Sequence, residues 1–135
     1  MNFLDRLQPL GLLALRLVLG AVMIAHGYSK VFGGMHAFTG TVQGLGMPGW
    51  LAYLSAAAEF GGGILIVIGF LTRFASLCIV IDMMVAIFKV HWKHGFVAEG
   101  NYQFPLVLAA VAFSLIFFGG GPIAIDWLWG SKGRR

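Results

Sequence analysis

Four apolar runs, each about twenty residues long and almost free of charge, decide what this chain can become. Wound as an α-helix at about 1.5 Å per residue, a run of that length matches the hydrocarbon core of a bilayer, about 30 Å thick. A helix also satisfies its backbone hydrogen bonds from within, as lipid demands. The first run, 10–28, opens after Pro9 and contains one charge, Arg16. The second, 50–70, follows the breaker Pro48-Gly49 and carries Glu59 near its middle. Only Leu71-Thr72-Arg73 separates it from the third, 74–90, so these two must form an antiparallel hairpin. Asp82 lies inside the third, and Lys89 sits near enough to its end to snorkel to the headgroups. The fourth, 101–118, is uncharged and stops at Gly119-Gly120-Gly121-Pro122. The expected fold is therefore all-α: an integral membrane four-helix transmembrane bundle, with residues 1–135 as a single domain. A composition that is 59% hydrophobic and 10% charged, with a mean hydropathy of +0.89, lies outside what a water-exposed surface of this size carries and leaves no length for a soluble domain.

Aromatic placement tests the spans independently, because Trp and Tyr favour the membrane interface. Tyr28, Trp50, Tyr53, Trp92 and Tyr102 fall at one set of span ends, and Trp127 and Trp129 at the other. Arg6, Arg73, Lys132, Arg134 and Arg135 lie on the side of the termini, against Lys30, Lys89 and Lys93 opposite. The positive-inside bias then predicts that both termini are cytoplasmic, in a multi-pass protein of a bacterial inner (plasma) membrane. The same bias accounts for the net charge of +4 without a nucleic-acid partner. A cleaved signal peptide is the rival reading of the first run, but Arg16 interrupts it and no small-residue cleavage site follows. Dithiol chemistry is excluded for the chain on its own, since Cys78 is its one cysteine.

Ionisable groups within hydrocarbon are costly unless they face the bundle interior and pair, so Arg16, Glu59 and Asp82 form a candidate buried polar cluster. Counted from the ends of their spans, they lie roughly 10, 16 and 12 Å deep. One guanidinium can pair bidentately with one carboxylate and donate to a second, which makes Glu59 the expected first partner of Arg16. The group then carries one negative charge in excess. It is either a polar clasp that fixes helix register or a proton or ligand site at mid-membrane. Ser55, Glu59, Gly62 and Gly63 share one face of the second span, and Cys78, Asp82 and Ala86 one face of the third.

All four histidines fall at the end away from the termini, with Lys30, Lys93 and Glu99. His26 and His91 each lie 17 residues beyond the starts of their spans, Pro9 and Phe74, on parallel helices, so they reach similar depth. An outer ligand pocket of His26, Lys30, His91 and His94 is the second candidate site. Its ligand classes are a quinone held by His, Lys and the aromatic rim, a b-type haem between two axial histidines, or a metal on His91-x-x-His94 with Glu99. His36 and the others can equally be interfacial polar residues, and no metal site is assigned.

In order along the chain stand Arg16-x-x-x-Gly20, His26-Gly27-x-x-Lys30, Gly46-Met47-Pro48, Glu59-Phe60-Gly61-Gly62, Gly69-Phe70-x-x-Arg73, His91 and Gly121-Pro122-x-x-x-Asp126. This ordered set resembles the DoxX family of small bacterial membrane proteins over nearly the whole chain. The resemblance implies a four-helix membrane protein. In some members it is a subunit of a thiosulfate:quinone oxidoreductase, and in others a partner of soluble redox or detoxifying enzymes. It implies polar roles for Arg16, Lys30 and Glu59. Two positions depart from the pattern: Tyr102-Gln103-Phe104 stands where the family often has Glu, and Ala124 where it has Ser before the closing Asp. Gln103 cannot titrate in place of that Glu. The expected function is support of redox metabolism, by holding a quinone or as the membrane subunit of an oxidoreductase. The alternatives are a non-catalytic scaffold for soluble redox enzymes and a small proton or solute transporter. Implied partners are the lipid bilayer, a soluble redox enzyme and a second copy of the chain.

Overall fold

The computed structural model describes residues 2–97 and 101–130. A short leading helix, α1 (Asn2–Arg6), precedes α2 (Gln8–Ser29), which starts with Pro9 in its first turn, where the missing N–H costs nothing. At Lys30–Gly34 the backbone kinks, with Phe32 and Gly33 outside helical geometry, and the chain turns into α3 (Met35–Gly44). The hairpin α4 (Leu51–Ile68) and α5 (Thr72–Ala86) follows, and α5 continues through irregular turns to His94. Helices α6 (Gln103–Phe118) and α7 (Ile125–Gly130) complete the chain, and no strand occurs among the described residues.

Three helical segments are long and apolar enough to cross a membrane: Gln8–Gly44, Leu51–Ile68 and Thr72–His94. The fourth apolar helix, Gln103–Phe118, is shorter at 16 residues and packs along α5. The protein is thus an all-helical transmembrane bundle. Its core holds Leu19 and Met23 of α2, Ile66 of α4, Ile79 of α5, and Ala112 and Leu115 of α6. Outward-facing Leu17, Val18, Ile64, Ile81 and Phe113 are exposed, as side chains that meet lipid should be.

The offset between α2 and α4 is set by glycine. A Cβ on Gly20 would stand 2.8 Å from Gly63 O, and one on Gly27 would stand 2.4 Å from Phe60 N, so the two backbones touch where side chains are absent. Gly20 is therefore level with Gly63, and Gly27 with Phe60. Arg16, 11 residues before Gly27, lies about 16 Å of helix from the level of Glu59. The similar depths expected from counting along each span do not hold, because the helices do not start in one plane.

The segment between the first and second spans contains a further helix, α3. Phe38, Thr41, Val42 and Leu45 recur there at the i, i+3, i+4, i+7 spacing of one helical face.

Candidate functional site

The two ends of the bundle treat charge differently. At the end bearing the termini, α4 stops at Gly69 in the left-handed region (φ 74°), which leaves its last carbonyls without helical partners. Arg16, 1% exposed, supplies donors: Nε to Ile66 O at 3.0 Å and Nη2 to Val67 O at 2.8 Å. Its Nη1 donates to Gly120 O at 3.1 Å and to Ile123 O. Asp126 answers from the opposite sign, its Oδ1 and Oδ2 accepting from Leu71 N–H and Thr72 N–H, both at 2.8 Å, at the start of α5. Arg73 Nη1 donates to Ile116 O and Phe117 O at the end of α6, at 2.8 and 2.9 Å. Every one of these charges is spent on backbone, at helix termini and, for Arg16, also in the loop between α6 and α7.

The expected Arg16–Glu59 pair is accordingly not made. Besides the difference in level, side chains lean toward the N-terminus of their own helix. On antiparallel α2 and α4, Arg16 leans toward the termini and Glu59 away from them. The same rule brings Lys30, near the far end of α2, back toward Glu59.

Toward that far end lies a cavity of about 570 Å³. Lys30 Nζ donates to Glu59 Oε2 at 2.7 Å and to Oε1 at 2.8 Å, with Glu59 almost fully buried and Lys30 about a fifth exposed. The ammonium also sits 4.1 Å from the centre of the Phe38 ring of α3, a cation–π contact. Asp82 neighbours Glu59, and its Oδ1 accepts the hydroxyl hydrogen of Ser55. Lys30, Glu59, Asp82 and Ser55 all line the cavity, as do Cys78 and Ala86 from the α5 face. So the predicted cluster splits: Asp82 and Glu59 come together, and Lys30 replaces Arg16 beside them.

Of the outer-pocket residues, the structure places His26, Lys30 and His91 on this one cavity wall, while His94 lies exposed beyond it. His26 packs its ring on Phe104 at 5.8 Å. His36 is exposed on α3. Glu99, invoked with His91 and His94 for a metal, lies outside the described residues, as do Lys132, Arg134 and Arg135. Among the described residues, no three His, Cys, Asp or Glu side chains gather as a metal ion would require. Apart from Thr41 of α3, the rest of the wall is apolar, contributed by all four long helices and by α3 through Phe38, Val42 and Leu45. A mostly apolar cavity of this size with a few converging polar groups has the character of a small-molecule site.

The sequence model of the family DoxX matches residues 11–92. The chain belongs to the DoxX family. The matched segment carries every charged group of the cavity, from Lys30 to Asp82, and both of its histidines. Among curated relatives of this DoxX protein, "Putative oxidoreductase CatD" of Bacillus subtilis (strain 168) is 34% identical over 120 residues, covering 87% of this chain and 85% of that one. "Inner membrane protein YqjF" of Escherichia coli (strain K12) is 29% identical over 136 residues, covering 96% and 99%. An uncharacterized protein of Haemophilus influenzae is 30% identical over 134 residues, covering 93% and 96%. No solved structure shows a significant match.

Proposed function

We propose that this DoxX protein resides in a bacterial inner membrane, termini in the cytoplasm, and supports redox metabolism by holding a quinone-type ring in its cavity. The observation that carries this reading is the cavity: about 570 Å³, walled mainly by apolar side chains, with Lys30, Glu59, Asp82, His26 and His91 on its lining. A lipid-soluble ring bearing oxygens needs that combination, an apolar wall for its body and tail and polar atoms that orient its oxygens. The printed names of two relatives, one an oxidoreductase and one an inner membrane protein, point the same way. The lining residues act as binding groups within a single membrane domain, and Arg16 belongs to the structural clasp at the other end. Electrons must come from a redox partner, which makes the chain a membrane subunit in such a complex. Solvent extraction of protein purified in mild detergent is expected to release a quinone in near-stoichiometric amount, identified by its ultraviolet spectrum and mass. Extracts without quinone, together with no binding of added short-tailed quinone, sink the reading and favour a scaffold.

A further inference from the structure

The cavity wall is graded in exposure, and the gradient has a direction. Met23 and Leu108, 0% and 7% exposed, line its inner part among the helices. From there the lining passes between α4 and α5 through half-buried Ser55 and Cys78 and ends at Leu54, Ile81 and Val85, which are 58%, 56% and 41% exposed. Side chains that wall a cavity and also face outward mark an opening. Counted along the helices, Leu54 lies about 6 Å inside Trp50, and Val85 and Ile81 about 10 and 16 Å inside Trp92. The opening therefore sits below the interfacial tryptophans, against hydrocarbon.

The other sides of the cavity are different. Across the gap between α2 and α6 the rings of His26 and Phe104 pack at 5.8 Å. Toward the outer water stands α3, which joins the outer ends of α2 and α4. Its Val42 is 5% exposed, and its Phe38 ring sits 4.1 Å from the Lys30 ammonium.

We infer that the cavity is filled sideways from the bilayer, through the cleft between α4 and α5, and that its ligand is a long-tailed polyprenyl quinone. The ring lies inside, and the tail leaves past Leu54, Ile81 and Val85 into lipid. This rests on the quinone reading and names the class of ligand, a membrane-dissolved quinone in place of a water-soluble ring. A space of about 570 Å³ holds a ring and the first part of such a tail but not its whole length, so a closed site would reject long tails. An open cleft accepts them. Lipid is as apolar as the rim, so a tail gains almost nothing by moving from one to the other.

Titration of the full chain in proteoliposomes tests this, with decylubiquinone and a full-length polyprenyl ubiquinone, each referred to its concentration in the lipid. The two dissociation constants are expected to agree within about threefold, because the added tail stays in an apolar medium. Weaker binding of the long-tailed form beyond that overturns the inference and leaves the quinone reading intact; binding of neither form overturns both. A decyl-tailed quinone with a diazirine at the tail end is expected to crosslink, on irradiation, to the peptides of α4 and α5 that carry Leu54, Ile81 and Val85, and unlabelled quinone should compete. Crosslinking confined to α2, α3 or α6 overturns the route. If Ile81→Cys in a Cys78→Ala background joins two copies by a disulfide under mild oxidation in the membrane, the cleft is an interface between copies and the inference falls.

Discussion

Charged side chains at the two ends of this bundle do opposite things. At the end of the termini, Arg16, Arg73 and Asp126 are bonded to backbone atoms, at helix ends and, for Arg16, also in the loop between α6 and α7. Toward the other end, Lys30, Glu59 and Asp82 line a cavity together, tied side chain to side chain. A charge committed to orphaned carbonyls is fixed by the fold, since those acceptors cannot move without unwinding a helix. A charge committed to another side chain can be rearranged by a rotamer change, which a binding site can use. The contrast supports reading one end as structural and the other as the proposed binding site.

The largest expected effect breaks the closed end. Arg16→Ala deprives the carbonyls of Ile66, Val67, Gly120 and Ile123 of their donor, and a loss of about 3 kcal/mol or more is expected, at about 1.5 to 3 kcal/mol for each hydrogen bond to a charged group, less relaxation. Thermal unfolding in detergent reads it. Arg16→Lys should rescue little, because a compact ammonium cannot span four diverging acceptors.

Second in size is Lys30→Met, which leaves Glu59 buried without its counter-charge. About 2 to 3 kcal/mol is expected, below the 3–5 kcal/mol of a fully buried pair because the Lys30 side chain keeps 22% exposure. Adding Glu59→Gln should recover much of that loss. The sharper comparison is a pair of double-mutant cycles: Lys30→Met with Glu59→Gln should be strongly non-additive, whereas Arg16→Ala with Glu59→Gln should sum within about 0.5 kcal/mol. Coupling in the second cycle would join the two ends and undo the distinction.

Gly27→Ala tests what sets the level of Lys30. Its Cβ would stand within 2.7 Å of Phe60 Cα and Cβ, so α2 and α4 must part, and about 1 to 3 kcal/mol of destabilisation is expected. Gly61→Ala, whose Cβ meets nothing within 4 Å, is the control and should be neutral or slightly stabilising. Smallest is Asp126→Ala, which removes a helix cap from Leu71 and Thr72 at about 1 kcal/mol, visible as a shifted melting midpoint with ligand affinity unchanged.

The spans were legible because lipid imposes one rule on every residue they contain. Tyr28, Trp50, Tyr53, Trp92, Trp127 and Trp129 do lie exposed near helix ends. The partner of Arg16 was not legible, since its acceptors are carbonyls, and a carbonyl has no letter in a sequence. Nor was the pairing of Glu59, because depth counted from span starts ignores the Gly20–Gly63 contact that offsets α2 against α4. Lys30 reads from the sequence as a polar pocket residue at the interface, whereas the lean of a helical side chain toward its own N-terminus points it inward.

The clasp on Arg16 also has a timetable. Two of its acceptors, Gly120 and Ile123, stand 104 and 107 residues downstream, so the ribosome has yet to make them when the first span enters the membrane. At about 5 to 20 residues per second the guanidinium waits roughly 5 to 20 s for them. During that interval lipid exposure of an arginine is penalised by about 2.5–3.5 kcal/mol on the insertion scale. The first helix is therefore expected to settle late, staying beside the insertion machinery until the final segment emerges, so a nascent chain arrested at Phe118 should crosslink to that machinery through α2 where the finished chain does not.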